Sequence, residues 1–325
     1  MYVDEKGIIR AYRQKGVEFK LVFVITEKEG SPENNLTFQK LKSNLNDNMF
    51  IKHFPYNEGN KSDQINYVIT EYLNNEKYNN LSTYYGIFDA DSLPDIRGLD
   101  YLLKEHSNHF IYQMFSIYSS NYEKLNLFDK ANAIFQTRWT MSYELPNSVV
   151  NYSKKGISHF SYTIGHGLFV RKDYVEENLF PSDVLTEDIL FGYIALNNGI
   201  CVKSIPFFDY CFSSSTLPVN IKQSARWYIG DLLSILRIIK YSIKNKSMKY
   251  IISFHILQWS FGPFTIILVI ILCLFLQKYL IFTIIIMSIF LYVFYFIILL
   301  LNVFFNQKTQ IIYLYLHSTF GKKFS

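Results

Sequence analysis

Residues 84–95 read YYGIFDADSLPD: an apolar, aromatic-rich run, then three acids within seven positions, Asp89, Asp91 and Asp95, the last just after Pro94. A run of this kind that stops at polar residues is the pattern of a strand leaving a sheet. In open α/β sheets, ligands collect at the carboxyl ends of strands. Carboxylates at i and i+2 share one side once the chain begins to turn, and can then hold one divalent cation together. Hard oxygen ligands suit Mg2+ or Mn2+. Taken alone, acids at a strand end also cap turns or face solvent, and Asp95, placed after the proline, reads as a turn acid.

Upstream, LVFVIT (21–26) is a β-branched run, FQKLKSNL (38–45) suggests a helix, MFIKHFPY (49–56) is strand-like, and SDQINYVITEYLNN (62–75) carries apolar residues at helical spacing. Alternating strands and helices predict an α/β domain built on a mainly parallel sheet with covering helices. Downstream, SDVLTEDILFGYIAL (182–196) places Thr186 at an expected N-cap with Glu187 and Asp188 in the first helical turn, where the dipole favours negative charge. That is a complete structural explanation of those acids. The QSARW stretch (223–227) gathers an amide, a guanidinium and an indole that can bind a phosphate and pack against a sugar or base. By itself it is an ordinary helix start.

The carboxyl-terminal third has another character. After Ile251 only Lys278 and Lys308 interrupt the apolar run with charge before Lys322. Segments 251–276 and 279–301 each exceed the ~20 residues needed to cross a ~30 Å hydrocarbon layer, with Gln277 and Lys278 between them. Lysines before the first segment and after the second predict that both ends, and the domain ahead of them, are cytoplasmic. Residues 223–246 put Trp227, Ile229, Leu232, Leu233, Leu236, Ile239 and Ile243 largely on one side of a helix, the pattern of a basic amphipathic helix lying on a bilayer. The alternative is an ordinary core helix. The net charge of +5 is scattered without Arg/aromatic interleaving, which disfavours nucleic acid as a partner. Three cysteines without CxxC spacing fit a reducing compartment.

Taken in order, Asp89-Ala90-Asp91, Thr186-Glu187-Asp188, Gln223-Ser224-Ala225-Arg226-Trp227 and then apolar spans, the chain resembles the membrane-anchored family 2 glycosyltransferases, the group of the cellulose, chitin and hyaluronan synthases. Gly59-Asn60-Lys61 followed by Asn66 is similar to the family's G-K-x-x-x-x-N helix start, and Ile164–Lys172 to its glycine-containing acceptor-side segment ending in a basic pair. The resemblance implies a GT-A-like, Rossmann-like mixed-sheet domain over residues 1–222, an amphipathic interfacial helix over 223–250, two transmembrane helices over 251–301 and a cytoplasmic tail over 302–325. It implies an inverting hexosyltransferase that moves a sugar from a nucleotide-sugar, a UDP-sugar, to a polysaccharide or lipid-linked glycan at the cytoplasmic face of the plasma membrane. Asp89 and Asp91 would hold the Mg2+ or Mn2+, Asp188 would be the general base, and Lys61, Asp89, Gln223, Arg226 and Trp227 would bind the nucleotide-sugar or border the acceptor. The strand that opens such domains has no counterpart ahead of LVFVIT, so the domain is expected to be N-terminally incomplete, with Glu27 as a substitute for a base-binding aspartate. The alternative function is a catalytically inactive homologue serving as a membrane assembly or regulatory partner, and either reading allows an oligomer or partner subunit.

Overall fold

The computed structural model describes residues 20–43, 45, 49–73, 83–105, 109–153, 161–214, 216–240 and 246–291. The strands are β1 (Leu21–Thr26), β2 (Met49–Phe54), β3 (Tyr84–Ile87), β4 (Leu93–Pro94), β5 (Ile111–Ile117), β6 (Leu168–Arg171) and β7 (Lys203–Tyr210). The α-helices include α1 (Leu36–Lys42), α2 (Lys61–Val68), α3 (Ile96–Lys104), α4 (Leu127–Trp139), α5 (Leu145–Ser153), α6 (Lys172–Glu177), α7 (Glu187–Asn197), α8 (Leu217–Lys240) and α9 (Lys246–Phe275), and residues 279–291 are also helical. The result is a mixed α/β fold.

The expected mainly parallel sheet is corrected by the observed pairing. β1 and β2 form a parallel pair of their own, and the other strands form a five-stranded sheet in the order β3-β6-β5-β7-β4. In that sheet β5 and β7 are parallel, while β6 lies antiparallel between β3 and β5 and β4 lies antiparallel on β7. The parallel expectation came from the strand–helix alternation before Asp89. It fails in the second half because β6 enters the sheet in the opposite direction to both its neighbours. Among the described residues, β1 has a ladder partner on one side only, and so does β3.

Contacts from α2 tie it to the larger sheet. Ile65 of α2 packs on the apolar cluster that includes Tyr85 and Ile87 of β3. Asn66 exchanges hydrogen bonds with the backbone of Phe180, donating to its carbonyl at 2.8 Å and accepting from its N–H at 3.0 Å. The glycine–lysine–asparagine segment therefore clamps α2 onto the chain that leads into Thr186.

β5 is buried along its whole length and forms the centre of the core. Ile111, Met114 and Phe115 are fully buried there, each contributing roughly 1.5–3 kcal/mol by leaving water. Its one amide, Gln113, is satisfied: it donates to the His166 carbonyl at 2.8 Å and accepts from the Ile164 N–H at 2.9 Å. Met114 N–H donates to the Gly167 carbonyl at 2.8 Å, and a Cβ at Gly167 (φ +64°) would stand 2.6 Å from the Met114 carbonyl oxygen. Only glycine fits where the 164–167 loop lies on the central strand.

α8 starts at Leu217, earlier than the expected 223, because Pro218 sits in the first turn, where its missing N–H costs nothing. Asn220 then fastens that turn to α4, donating to Asp129 at 3.0 Å and accepting from Asn132 at 2.7 Å. The helix buries a small and polar stripe, Gly230, Asp231 and Ser234 with Ile238, and leaves Ile229, Leu232, Leu233 and Leu236 exposed. α9 begins against the domain: Ile252 is buried with Val184 and Leu190, and Tyr143 hydroxyl bonds His255 Nδ1 at 2.5 Å. At the end of α9 the chain reverses through Gln277 at φ 55°, with Lys278 N–H donating to the Cys273 carbonyl at 2.8 Å. Among the described residues no helix is long and apolar enough to cross a membrane. Residues 292–301 of the second expected span, and the 302–325 tail, lie outside the described residues.

Candidate active site

The strand β3 delivers the Asp89-Ala90-Asp91 turn at its carboxyl end. Ser92 closes it: the Asp89 N–H donates to Ser92 Oγ at 3.2 Å and the Ser92 N–H to the Asp89 carbonyl at 3.1 Å. Asp91 is exposed and Asp89 half-buried. Asp95 lies apart from this pair and caps α3, accepting from the Arg97 N–H at 3.0 Å, as a turn acid should.

Lys61 reaches this turn from the first position of α2. The helix is started by a reciprocal capping box, with the Asn60 side chain accepting from the Asp63 N–H at 3.1 Å and the Asp63 carboxylate accepting from the Asn60 N–H at 2.7 Å. Gly59 (φ +122°) provides the sharp entry. The Lys61 ammonium contacts the Asp89 carboxylate and donates to the Gly165 carbonyl at 2.6 Å. A solvated lysine at a helix start is thereby excluded, since Lys61 is the cation joining the acidic turn to the 164–167 loop.

Asp188 stands on the other side of the same loop. A Cβ at Gly165 would lie 2.8 Å from Asp188 Oδ2, so the carboxylate rests directly against the glycine. The Ile189 N–H holds Asp188 Oδ1 at 2.9 Å, and Thr163 Oγ1 donates to the Asp188 carbonyl at 2.6 Å. Asp89, Lys61, Gly165 and Asp188 thus form one continuous chain of contacts. The neighbouring Glu187 is buried, and its carboxyl is pushed up to about 7 by burial first and by the Asp188 charge second, with Lys61 and Arg226 acting the other way. The charge of Arg226 in the QSARW stretch is thus felt at Glu187.

Thr186 takes the N-cap position of α7, but its hydroxyl makes no capping bond. It turns instead to Ser234 of α8, with the two hydroxyl oxygens 3.4 Å apart. A Cβ at Gly230 would meet Thr186 Oγ1 at 2.7 Å and Cγ2 at 2.5 Å. The helix carrying Gln223, Arg226 and Trp227 therefore docks on the start of α7 through a glycine that no other residue could replace without displacement. Gln223 accepts from Gln136 of α4 at 3.4 Å, Trp227 is half-buried and Arg226 exposed.

Two expected contributors act elsewhere. Glu27 places Oε2 2.9 Å from His53 Nε2 within the β1–β2 unit. Arg171 and Lys172, the basic pair, bind Asp173 at 2.7 Å and Glu176 at 3.6 Å beside β6. Sequence reasoning also missed three residues that gather behind the acidic turn. His166 Nδ1 is 2.8 Å from Asp209 Oδ2 and 3.5 Å from Cys211 Sγ. The Asp209 carboxylate and its hydrogen bond raise the pKa of this imidazole against the opposing effect of burial. Only the Gly-His-Gly setting of His166 and the alternate positions of Asp209 and Cys211 at the end of β7 hinted at the cluster.

An acidic turn at a strand end and a second carboxylate at a helix start are thus joined through Lys61 and the Gly165 loop. The family profile of glycosyl transferase family group 2 matches residues 87–304, more than half of the chain, so the chain belongs to that family. The matched span starts at the end of β3 and leaves Lys61 outside it, so the place of Lys61 in the site rests on its contacts. Among solved structures the chain is similar to a mannosyltransferase from Pyrobaculum calidifontis in complex with GDP-mannose and Mn2+, at 13% identity and a TM-score of 0.45, over 79% of this chain and 66% of that one. The chain thus spans less than two thirds of the length of that relative. No curated protein matches it.

Proposed function

We propose that the chain is an inverting, metal-dependent glycosyltransferase that moves a sugar from a nucleotide-sugar, a UDP-sugar, to a polysaccharide or lipid-linked glycan, on a GT-A-like domain. The observation that carries this reading is the contact chain Asp89–Lys61–Gly165–Asp188, which sets a base and a pair of hard-ligand acids around one loop. Asp188 takes the proton of the acceptor hydroxyl as its oxygen bonds the anomeric carbon. The bond from that carbon to the diphosphate breaks in the same displacement, so the configuration inverts and the nucleoside diphosphate leaves with the electron pair. Lys61 and Arg226 supply positive charge beside the leaving group. Gln223 and Trp227 border the acceptor sugar or the pyrophosphate.

The donor set fits a hard divalent cation: two carboxylates on one turn, Asp91 open to solvent and Asp89 already facing a positive charge. Asp89 and Asp91 would hold Mg2+ or Mn2+, which neutralises charge on a bound diphosphate.

A cytoplasmic-face, membrane-anchored setting is supported by the exposed apolar side of α8 and by α9. In α9, Phe264, Ile267, Leu268 and Phe275 are exposed, the last at 81%. Soluble surfaces seldom present apolar area of that extent. In that setting α8 lies on the bilayer with its polar stripe against the catalytic unit.

The test is a donor screen on membranes containing the full chain. UDP release dependent on Mn2+ and on an added glycan acceptor is expected, and lost in Asp89→Asn/Asp91→Asn. Wild-type chain that binds Mn2+ yet releases no nucleotide with any donor would favour the inactive-partner reading.

A further inference from the structure

We propose that His166, Asp209 and Cys211 form a buried Zn2+ site, separate from the Asp89–Asp91 pair, that pins the 164–167 loop to β7. The three ligand atoms lie within 4.8 Å of one another and all three residues are buried. Their spacing is close to that of a metal's ligand set. With Zn–S of about 2.3 Å and Zn–N of about 2.0–2.1 Å, sulfur and nitrogen at adjacent corners of a tetrahedron stand roughly 3.5 Å apart. Cys211 Sγ and His166 Nδ1 are 3.5 Å apart. The 2.8 Å between His166 Nδ1 and Asp209 Oδ2 is a hydrogen-bond length, and it needs to open by only about half an ångström when a cation replaces the shared proton.

Two further observations point to a ligand. Asp209 is fully buried, and its Oδ1 has no hydrogen-bond partner among the described residues. A buried carboxylate oxygen left unpaired is costly, and a cation removes that cost. The outer shell is also in place. His166 Nε2 is 3.2 Å from Ser116 Oγ, which fixes the ring with Nδ1 toward Asp209 and Cys211, as the second nitrogen of a metal-bound imidazole normally is fixed. Gln113 holds the His166 carbonyl. Sulfur, imidazole and one carboxylate are a borderline-soft donor set that selects Zn2+ over Mg2+ or Mn2+, with the fourth position taken by water. Since the Gly165 carbonyl next to His166 receives Lys61, the ion would hold the loop on which the acidic turn and Asp188 converge.

The test uses the full chain, purified, stripped with chelator and reloaded with Zn2+ in excess Mn2+, with metal content read by emission spectrometry. Stoichiometric Zn2+ that survives desalting is expected in wild type and in Asp89→Asn/Asp91→Asn, and its loss in Cys211→Ser and His166→Asn. Loading wild type with Co2+ should give a thiolate-to-cobalt charge-transfer band, which decides the matter even if the variants fail to fold. Folded wild-type chain without retained Zn2+, Co2+ spectra with no thiolate band, or Zn2+ content unchanged in Cys211→Ser would each overturn the site and leave an ordinary His–Asp hydrogen bond. Loss of Zn2+ in the Asp89/Asp91 variant alone would place the ion at the acidic turn and overturn it equally.

Discussion

The carboxylate of Asp188 rests against the α-carbon of Gly165, so close that a methyl group there would stand 2.8 Å from Oδ2. Gly165→Ala should therefore displace the base without touching Asp89 or Asp91. A shift of about 1 Å at a reacting group costs on the order of a hundredfold in rate. Turnover is expected to fall by about that factor, with the donor dissociation constant unchanged. Steady-state kinetics beside a donor titration checks this.

Lys61 is the cation that faces Asp89 and the Gly165 carbonyl together. Lys61→Met should lower turnover roughly tenfold to a hundredfold by removing both the charge and the loop contact. Lys61→Arg should recover little, because a planar fork does not reproduce a point ammonium. The measurement is nucleotide release as a function of donor concentration.

Gly230 carries the docking of α8 on Thr186. Gly230→Ala should push the QSARW helix away and cut activity while the β-sheet core stays folded, as read by circular dichroism. Thr186→Ala removes the two atoms that collide most closely, leaving the Thr186 Cβ 3.1 Å away. The double variant should recover part of the loss, the non-additivity expected of residues in contact.

Asp231 is buried, one of its carboxylate oxygens has no hydrogen-bond partner among the described residues, and burial with the Asp188 charge pushes its pKa up to about 7. Glu187 is raised to about 7 and Glu144 to about 6, both mainly by burial. A carboxyl with a raised folded pKa holds its proton in the native state after the unfolded state has released it. Stability is then greatest below the unfolded pKa and falls as pH rises through the folded value. The catalytic domain should lose stability between about pH 4.5 and 7, and Asp231→Asn should raise the melting temperature at pH 8 but not at pH 4. At about 1.4 kcal/mol per pKa unit, the gain at pH 8 is of the order of a few kcal/mol.

Local sequence signals mark the right elements where hydrophobic pattern alone decides. LVFVIT is β1 to the residue, and the helix over Glu187–Asn197 starts where the acids predict. What pattern does not contain is which elements meet. The hydroxyl of Thr186 has an adequate local use as a cap, and it is the approach of Gly230 that turns it to Ser234 instead. Lys61 and Asp89 are separated by a helix and a strand, so their contact depends on how α2 crosses β3. His166 and Asp209 lie still further apart in sequence, and their contact exists only because the Gly167 loop and β7 both border β5. The direction of β6 is likewise set by tertiary closure, which strand–helix alternation before Asp89 does not foresee.

The central claim is that Asp188 is the base and the Asp89–Asp91 turn the donor's metal site. Single-turnover transfer from a bound UDP-sugar by Asp188→Asn, with Mn2+-dependent donor binding measured on the same sample, tests it most directly. Donor binding within about twofold of wild type is expected, with transfer reduced by about 10²–10⁴, the range that general-base catalysis contributes. Transfer at the wild-type rate by a variant that binds donor normally would contradict it.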